Sequence, residues 1–181
     1  MSNGGFSQMD STNCKLLKLE NQLCFPLYAA SREVIKLYKP YLDELDLTYT
    51  QYIAMLLLWE YDTLTVKEIG DHLFLDSGTL TPLLKKLEAK GVITRTRSVK
   101  DERNLNVSLT EEGRALQSKA RGIPLELGKC NPLSLEETII LYRLLYKMLG
   151  REGASQPDWA FLECDKDCPV SCFKKDDSDK E

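Results

Sequence analysis

The chain has 181 residues, 43% of them hydrophobic, and carries 24 Lys and Arg against 28 Asp and Glu, a net charge of −4. That length and apolar content suit one sizeable core and about one domain. No apolar run approaches the roughly 20 residues of a membrane span, and MSNGGFSQMD has neither the basic nor the apolar region of a secretory leader, so a cytoplasmic protein is expected.

Residues 1–14 read as a flexible N-terminus, with Cys14 uninformative within it. A first helix is predicted from about residue 18 to 36, with Leu19, Leu23 and Leu27 on one stripe. Cys24 lies inside it, and a lone cysteine on an apolar helix face is ordinarily an inert small hydrophobe. Pro26 opens another reading. A helix beginning near Cys24 would set the thiol beside the unpaired N–H groups of a first turn, which stabilise a thiolate, whereas a helix already begun would kink at Pro26. A second helix is predicted from about 49 to 60. Tyr38 and Tyr49, taken alone, read as core aromatics.

Residues 65–90 read as a helix-turn-helix. Thr65 and Glu68 have capping-box spacing, ahead of an apolar stripe of Val66, Ile69 and Leu73. Asp76 or Ser77 then caps a second helix whose Leu80, Leu83, Leu84 and Leu87 recur at helical spacing and leave Thr79, Thr81, Lys85 and Lys86 outward. Pro82 is tolerable there only within about the first turn. Gly91 ends the helix. Val92–Arg97 and Leu105–Leu109 alternate apolar with polar and form a hairpin, the wing, over 92–109.

From Lys85 to Arg103 seven cations less three anions leave +4, an electropositive island in an acidic chain. A charge run is usually a solvated face, but directly after a helix-turn-helix it points to duplex DNA. Ser77, Thr79 and Thr81 are short donors suited to base edges or phosphates, and Lys85 and Lys86 can neutralise phosphates. Arg95, Arg97, Lys100 and Arg103 supply the charge of the hairpin. His72, the only histidine, is a structural or phosphate-neighbouring group, and no metal or cofactor is expected.

Thr110 with Glu111 and Glu112 starts a helix running to about Gly128, and Ser134 with Glu137 opens another through Leu135, Ile139, Tyr142, Leu145 and Leu149. These apolar arcs must cover either their own winged helix or a second copy. Cys130 sits in the turn-rich Gly128-Lys-Cys130-Asn-Pro132 joint. From Glu152 to Glu181 nine acids outweigh four lysines, net −5, in a segment carrying Cys164, Cys168 and Cys172. Those three thiols fall short of the usual four ligands of a structural zinc site. They equally suit extra redox chemistry or an extension with no defined function. In a reducing cytosol the six cysteines favour reactive or metal-binding roles over structural disulfides.

The run Asp101-x-Arg103-x-x-x-Val107-x-Leu109-Thr110-x-x-Gly113 resembles the wing signature of the MarR family of dimeric transcription regulators. LENQLCFPLYAASREVIKLYKPYL (19–42) and LTYTQYIAMLLLWE (47–60) resemble its OhrR branch of organic-hydroperoxide sensors. The resemblance covers about residues 15–150 and implies a mainly α fold with a small β-wing. Residues 15–48 and 110–150 would dimerise, 49–109 would form the DNA-binding lobe, and 151–181 would be an added acidic tail. Arg103 would enter the minor groove, with Asp101 bracing the wing through Arg95, Arg97 or Arg103. Cys24 would be the reactive cysteine, its thiolate hydrogen-bonded by Tyr38 and Tyr49 across the homodimer interface, and Cys130 would be the resolving cysteine of the other subunit. Oxidation by organic hydroperoxide would then release an inverted-repeat operator whose half-sites lie about 34 Å apart. A regulator released by a phenolic ligand would not need Cys24. A thiol peroxidase would leave the helix-turn-helix unexplained, so no enzyme is expected.

Overall fold

Pro26 decides where the first helix begins. In the computed structural model, which describes residues 15–97, 105–151 and 157, a turn of 3-10 helix at Leu19–Asn21 precedes α1 (Cys24–Glu44). Proline has no N–H to donate, so it fits the first turn of a helix, and Cys24 becomes the opening residue. The expected helix over 18–36 therefore starts later and runs further, through Pro40, to Glu44. The chain divides into two compact units, Met1–Leu37 and Tyr38–Glu181.

In the second unit, α2 (Tyr49–Tyr61) opens on a capping box in which Thr48 accepts from the Gln51 N–H and the Gln51 side chain accepts from the Thr48 N–H. A strand too short to be anticipated, β1 (Thr63–Thr65), leads into α3 (Val66–Leu73), where the Thr65–Glu68 box is formed in both directions. Phe74 in the left-handed conformation, φ 55°, turns the chain into α4 (Ser77–Ala89). Asp76 rather than Ser77 caps α4, accepting from the Thr79 N–H at 2.8 Å. Gly91, at φ 75°, takes up the left-handed conformation that follows it.

The wing is β2 (Ile93–Arg97) and β3 (Leu105–Leu109), with β1 completing an antiparallel sheet of order β1-β3-β2. Val107 faces Leu64 on one side and Arg95 on the other. After the wing the expected single helix to Gly128 is two, α5 (Glu111–Ala120) and α6 (Ile123–Lys129). Pro124 cannot donate to the Ala120 carbonyl and its ring crowds that group, so the ladder breaks at Arg121-Gly122. The last helix, α7 (Leu135–Met148), begins at the Ser134–Glu137 box as expected.

The core lies between α2, the helix-turn-helix and the sheet. Tyr52, Met55, Leu58, Ile69, Leu80, Leu84, Leu87, Ile93 and Val107 are all but inaccessible. Burying each such leucine contributes about 1.5–3 kcal/mol, so the stripe read from the sequence of α4 fixes which of its faces is left for a partner. In contrast, α7 buries none of its residues, with Ile140, Leu141, Leu144 and Met148 exposed. In the first unit Leu16, Leu17, Leu19, Leu23, Phe25 and Tyr28 are exposed as well.

Candidate nucleic-acid interface and thiol positions

With the four leucines of α4 turned inward, Ser77, Thr81, Pro82, Lys85 and Lys86 are exposed together on its other side. Thr79 is also exposed, but its hydroxyl donates to Asp76 Oδ2 at 3.3 Å and so serves the cap as well as the surface. Pro82 is the sixth residue of α4, in the second turn rather than the first. The helix survives because the carbonyl left without its usual donor belongs to Gly78, and the ring projects from the exposed side. Lys67, Lys85, Lys86 and Arg97 form no ion pair among the described residues, which leaves four cations uncompensated around this face.

Arg95 is engaged within the fold as well as placed in a basic hairpin. Its Nε donates to Glu88 Oε2 at 2.9 Å, and a second guanidinium nitrogen donates to the same oxygen. The pair ties β2 to the last turn of α4, and so orients the wing against that helix. The resemblance implied a further brace, Asp101 acting on Arg95, Arg97 or Arg103 within the wing. Lys100, Asp101 and Arg103 lie outside the described residues.

The Arg95 guanidinium holds the Glu88 carboxyl below the usual carboxylate range. A carboxyl depressed in the folded state stabilises the fold above its unfolded value, and that contribution is lost as the pH falls through the folded value. Glu88→Gln is therefore expected to lower the urea midpoint at pH 7, by an amount that shrinks as the pH falls through the folded-state value of Glu88. A difference that stays constant as the carboxylates are protonated would mean the ion pair is not its source.

A groove of about 430 Å³ runs between α3, α4 and the sheet. Its walls include Val66, Lys67, Leu75, Leu80, Arg95 and Leu105.

Cys24 is exposed in the first unit, as the first residue of α1. Tyr38 and Tyr49 meet edge to face in the second unit, with ring centroids 5.0 Å apart, and Tyr52 lies 5.7 Å from Tyr38. Burial raises all three phenols, Tyr52 to about 12, so each is a neutral O–H donor at physiological pH. Neither the Tyr38 nor the Tyr49 hydroxyl has a hydrogen-bond partner among the described residues. Cys130 is a half-buried thiol at the end of α6, with its N–H donating to the Leu127 carbonyl at 3.0 Å. Cys14, Cys164, Cys168 and Cys172 lie outside the described residues.

The aromatic row continues beyond what the sequence suggested. Trp59 lies 6.2 Å from Tyr52, and its indole N–H donates to the Gly113 carbonyl at 2.8 Å. Gly113 is wedged against the wing: a Cβ there would stand 2.0 Å from the Val92 carbonyl oxygen. The Thr110 hydroxyl caps Gly113 from one side and donates to the Gly91 carbonyl on the other. His72 packs against the Tyr61 ring at 5.6 Å, in keeping with a structural role.

A family of transcriptional regulators described as SarA/Rot matches residues 36–120. The chain is 56% identical over 133 residues to the organic hydroperoxide resistance transcriptional regulator of Bacillus subtilis, covering 74% of this chain and 90% of that one. Among solved structures it is similar to reduced AbfR bound to DNA, at 36% identity and a TM-score of 0.64, over 78% of this chain and 96% of that one. The disulfide form of AbfR, a Staphylococcus epidermidis protein, aligns at 35% identity and a TM-score of 0.54, over 79% of this chain and 98% of that one. A MarR variant from E. coli complexed with operator DNA aligns at 27% identity and a TM-score of 0.64, over 70% of this chain and 93% of that one.

Proposed function

The chain belongs to the MarR-type family of DNA-binding transcriptional regulators, on the organic-hydroperoxide-resistance branch, and from that premise we propose that it is a dimeric, thiol-switched repressor that releases an inverted-repeat operator when Cys24 is oxidised. The observation that carries the proposal is the position of Cys24: exposed and first in its helix.

A hydroperoxide needs an accessible sulfur to attack. The Cys24 thiolate displaces alkoxide from ROOH, which leaves as the alcohol after taking a proton, and the sulfur becomes a sulfenic acid. The Cys130 thiol of the other subunit then condenses with it, forming the S–S bond and releasing water. Tyr38 and Tyr49, neutral and with unengaged hydroxyls, are suited to donate to the thiolate of the opposite subunit before it reacts. The exposed apolar faces of the first unit and of α7 supply surface for that dimer. AbfR, with both a reduced DNA-bound form and a disulfide form, supports the same chemistry here.

On DNA, α4 enters the major groove with Ser77, Thr79 and Thr81 toward the bases, and Lys85 and Lys86 toward phosphates. Arg97, Lys100 and Arg103 serve the wing. Arg95 acts through Glu88, and Asp101 braces the tip. Dimer symmetry requires half-sites about one helical turn, roughly 34 Å, apart. The place of action is the cytoplasm, with hydroperoxide as signal and no cofactor. Among the described residues no helix is long and apolar enough to cross a membrane.

The testing experiment binds the protein to an inverted-repeat duplex from its own upstream region, before and after one equivalent of cumene hydroperoxide, with non-reducing mass analysis of the same samples. Release together with a Cys24–Cys130 intersubunit bond is expected. Tight binding that ignores the peroxide would overturn the switch and favour release by a phenolic ligand.

A further inference from the structure

The chain beyond α7 starts beside the DNA-reading face. The Arg151 N–H donates to the Tyr146 carbonyl at 2.9 Å, closing α7, while its guanidinium lies 4.5 Å over the Phe74 ring and donates to the Asp71 carbonyl. Phe74 is the residue that turns α3 into α4, and Asp71 lines the groove of about 430 Å³ between those helices and the sheet. This link holds Arg151, the residue before that segment, against a residue that lines the groove.

The groove and that segment are complementary. Val66, Leu75, Leu80, Leu84 and Leu105 give the groove an apolar floor, Lys67 lines it as an uncompensated cation beside the Glu88-paired Arg95, and Asp71 is the only acid among its described lining residues. Residues 158–165, Asp-Trp-Ala-Phe-Leu-Glu-Cys-Asp, place Trp159, Phe161 and Leu162 between carboxylates, within a segment of net charge −5. Trp159 is eight residues from Arg151, which spans up to about 26 Å of extended chain. A 13-residue helix such as α4 is about 20 Å long, so the whole groove is within reach.

We propose that residues 158–165 dock into the groove between α3 and α4, with Trp159 and Phe161 on its apolar floor and the flanking carboxylates toward Lys67 and the α4 lysines, so that this segment competes with DNA for the same face. Ser77 and Thr81 line the groove and also face the duplex, so both occupants cannot be held at once. The proposal rests on the DNA-facing role of α4 given above. If the segment is docked about 90% of the time, the apparent DNA affinity falls about tenfold.

Trp59 and Trp159 are the only tryptophans, so acrylamide quenching of a full-length Trp59→Phe chain reads Trp159 alone. In the absence of DNA, Trp159 is expected to be shielded, and Lys67→Glu, a charge reversal on an exposed residue in the first turn of α3, is expected to unshield it. Adding an inverted-repeat duplex to the Trp59→Phe chain should also unshield it, and in the otherwise native chain Trp159→Ala with Phe161→Ala should tighten DNA binding about tenfold. Trp159 quenched to the same extent with and without Lys67→Glu would overturn the docking, whatever DNA does. Shielding that responds to Lys67→Glu but not to bound duplex would place the segment in the groove and overturn the competition. Failure of every variant to bind duplex would instead reject the assignment of α4 to DNA, and the competition with it.

Discussion

Cys24→Ser is expected to leave operator binding intact and to abolish its loss on oxidation. Serine is close to cysteine in size and favours helix starts, and the side chain is exposed, so the opening of α1 should persist. What disappears is the nucleophile. If oxidation of the native protein weakens operator binding by ~4 kcal/mol, the apparent Kd rises about a thousandfold. In the variant one equivalent of cumene hydroperoxide should leave Kd unchanged, read by fluorescence anisotropy on a labelled duplex. Release of the serine variant to the same degree would move the sensing to another thiol or to a bound ligand. Cys130→Ser is the informative companion, because on the proposed route it would retain the sulfenic acid step and block the disulfide.

Gly113→Ala is expected to produce the largest loss of stability from a single methyl group. The added Cβ would meet the Val92 carbonyl oxygen at 2.0 Å and a Leu109 methyl at 3.1 Å. The first neighbour is backbone and cannot rotate away. Gly113 also carries the carbonyl that Trp59 holds and the N–H that Thr110 caps, so displacing it strains the indole contact and the start of α5 together. Overpacking typically costs about 1–3 kcal/mol, and a backbone neighbour puts this case at the upper end. Urea denaturation measures it, with Gly122→Ala as control, since a Cβ there meets nothing within 4 Å. Equal midpoints for the two variants would show that the joint yields. A weaker hold of the wing on α5 should also appear as reduced duplex affinity at concentrations where the protein remains folded.

The parts of the fold legible in the sequence were those fixed by short-range rules. The helix-turn-helix could be read because its two caps and its leucine stripe all lie within residues 65–90. The wing strands alternate cleanly enough to be found. Pro124 and Gly122 carried the signal that splits α5 from α6, but the polar and apolar pattern across them continues, which favours one helix. β1 escaped notice because three residues cannot establish a period, and its partner β3 is more than forty positions away.

The same distinction separates the site residues. The exposed set on α4 follows from burial of its leucines, so periodicity alone locates it. The Arg95–Glu88 pair is close in sequence but crosses from strand to helix, where neither element's period predicts a contact, and Trp59 reaches Gly113 over 54 positions, a distance at which no local pattern operates. For Cys24 the residues left two helix starts open, and the structure selects the one that begins at the thiol. At the tip of the wing the charge of Lys100 and Arg103 was legible in the sequence, while the roles of Asp101 and Arg103 rest on resemblance alone.

The order β1-β3-β2 leaves β2 at an edge of the sheet among the described strands. An open row of backbone donors and acceptors invites a strand from another molecule, and in a crowded cell that is a route to aggregates. β2 reads Ile-Thr-Arg-Thr-Arg, so charge recurs along that border, with Arg97 exposed at its end. On the proposed function Arg97 serves DNA, and the same charge keeps this border from pairing with itself, so replacing Arg97 by an apolar residue is expected to make the protein less soluble as well as a poorer DNA ligand.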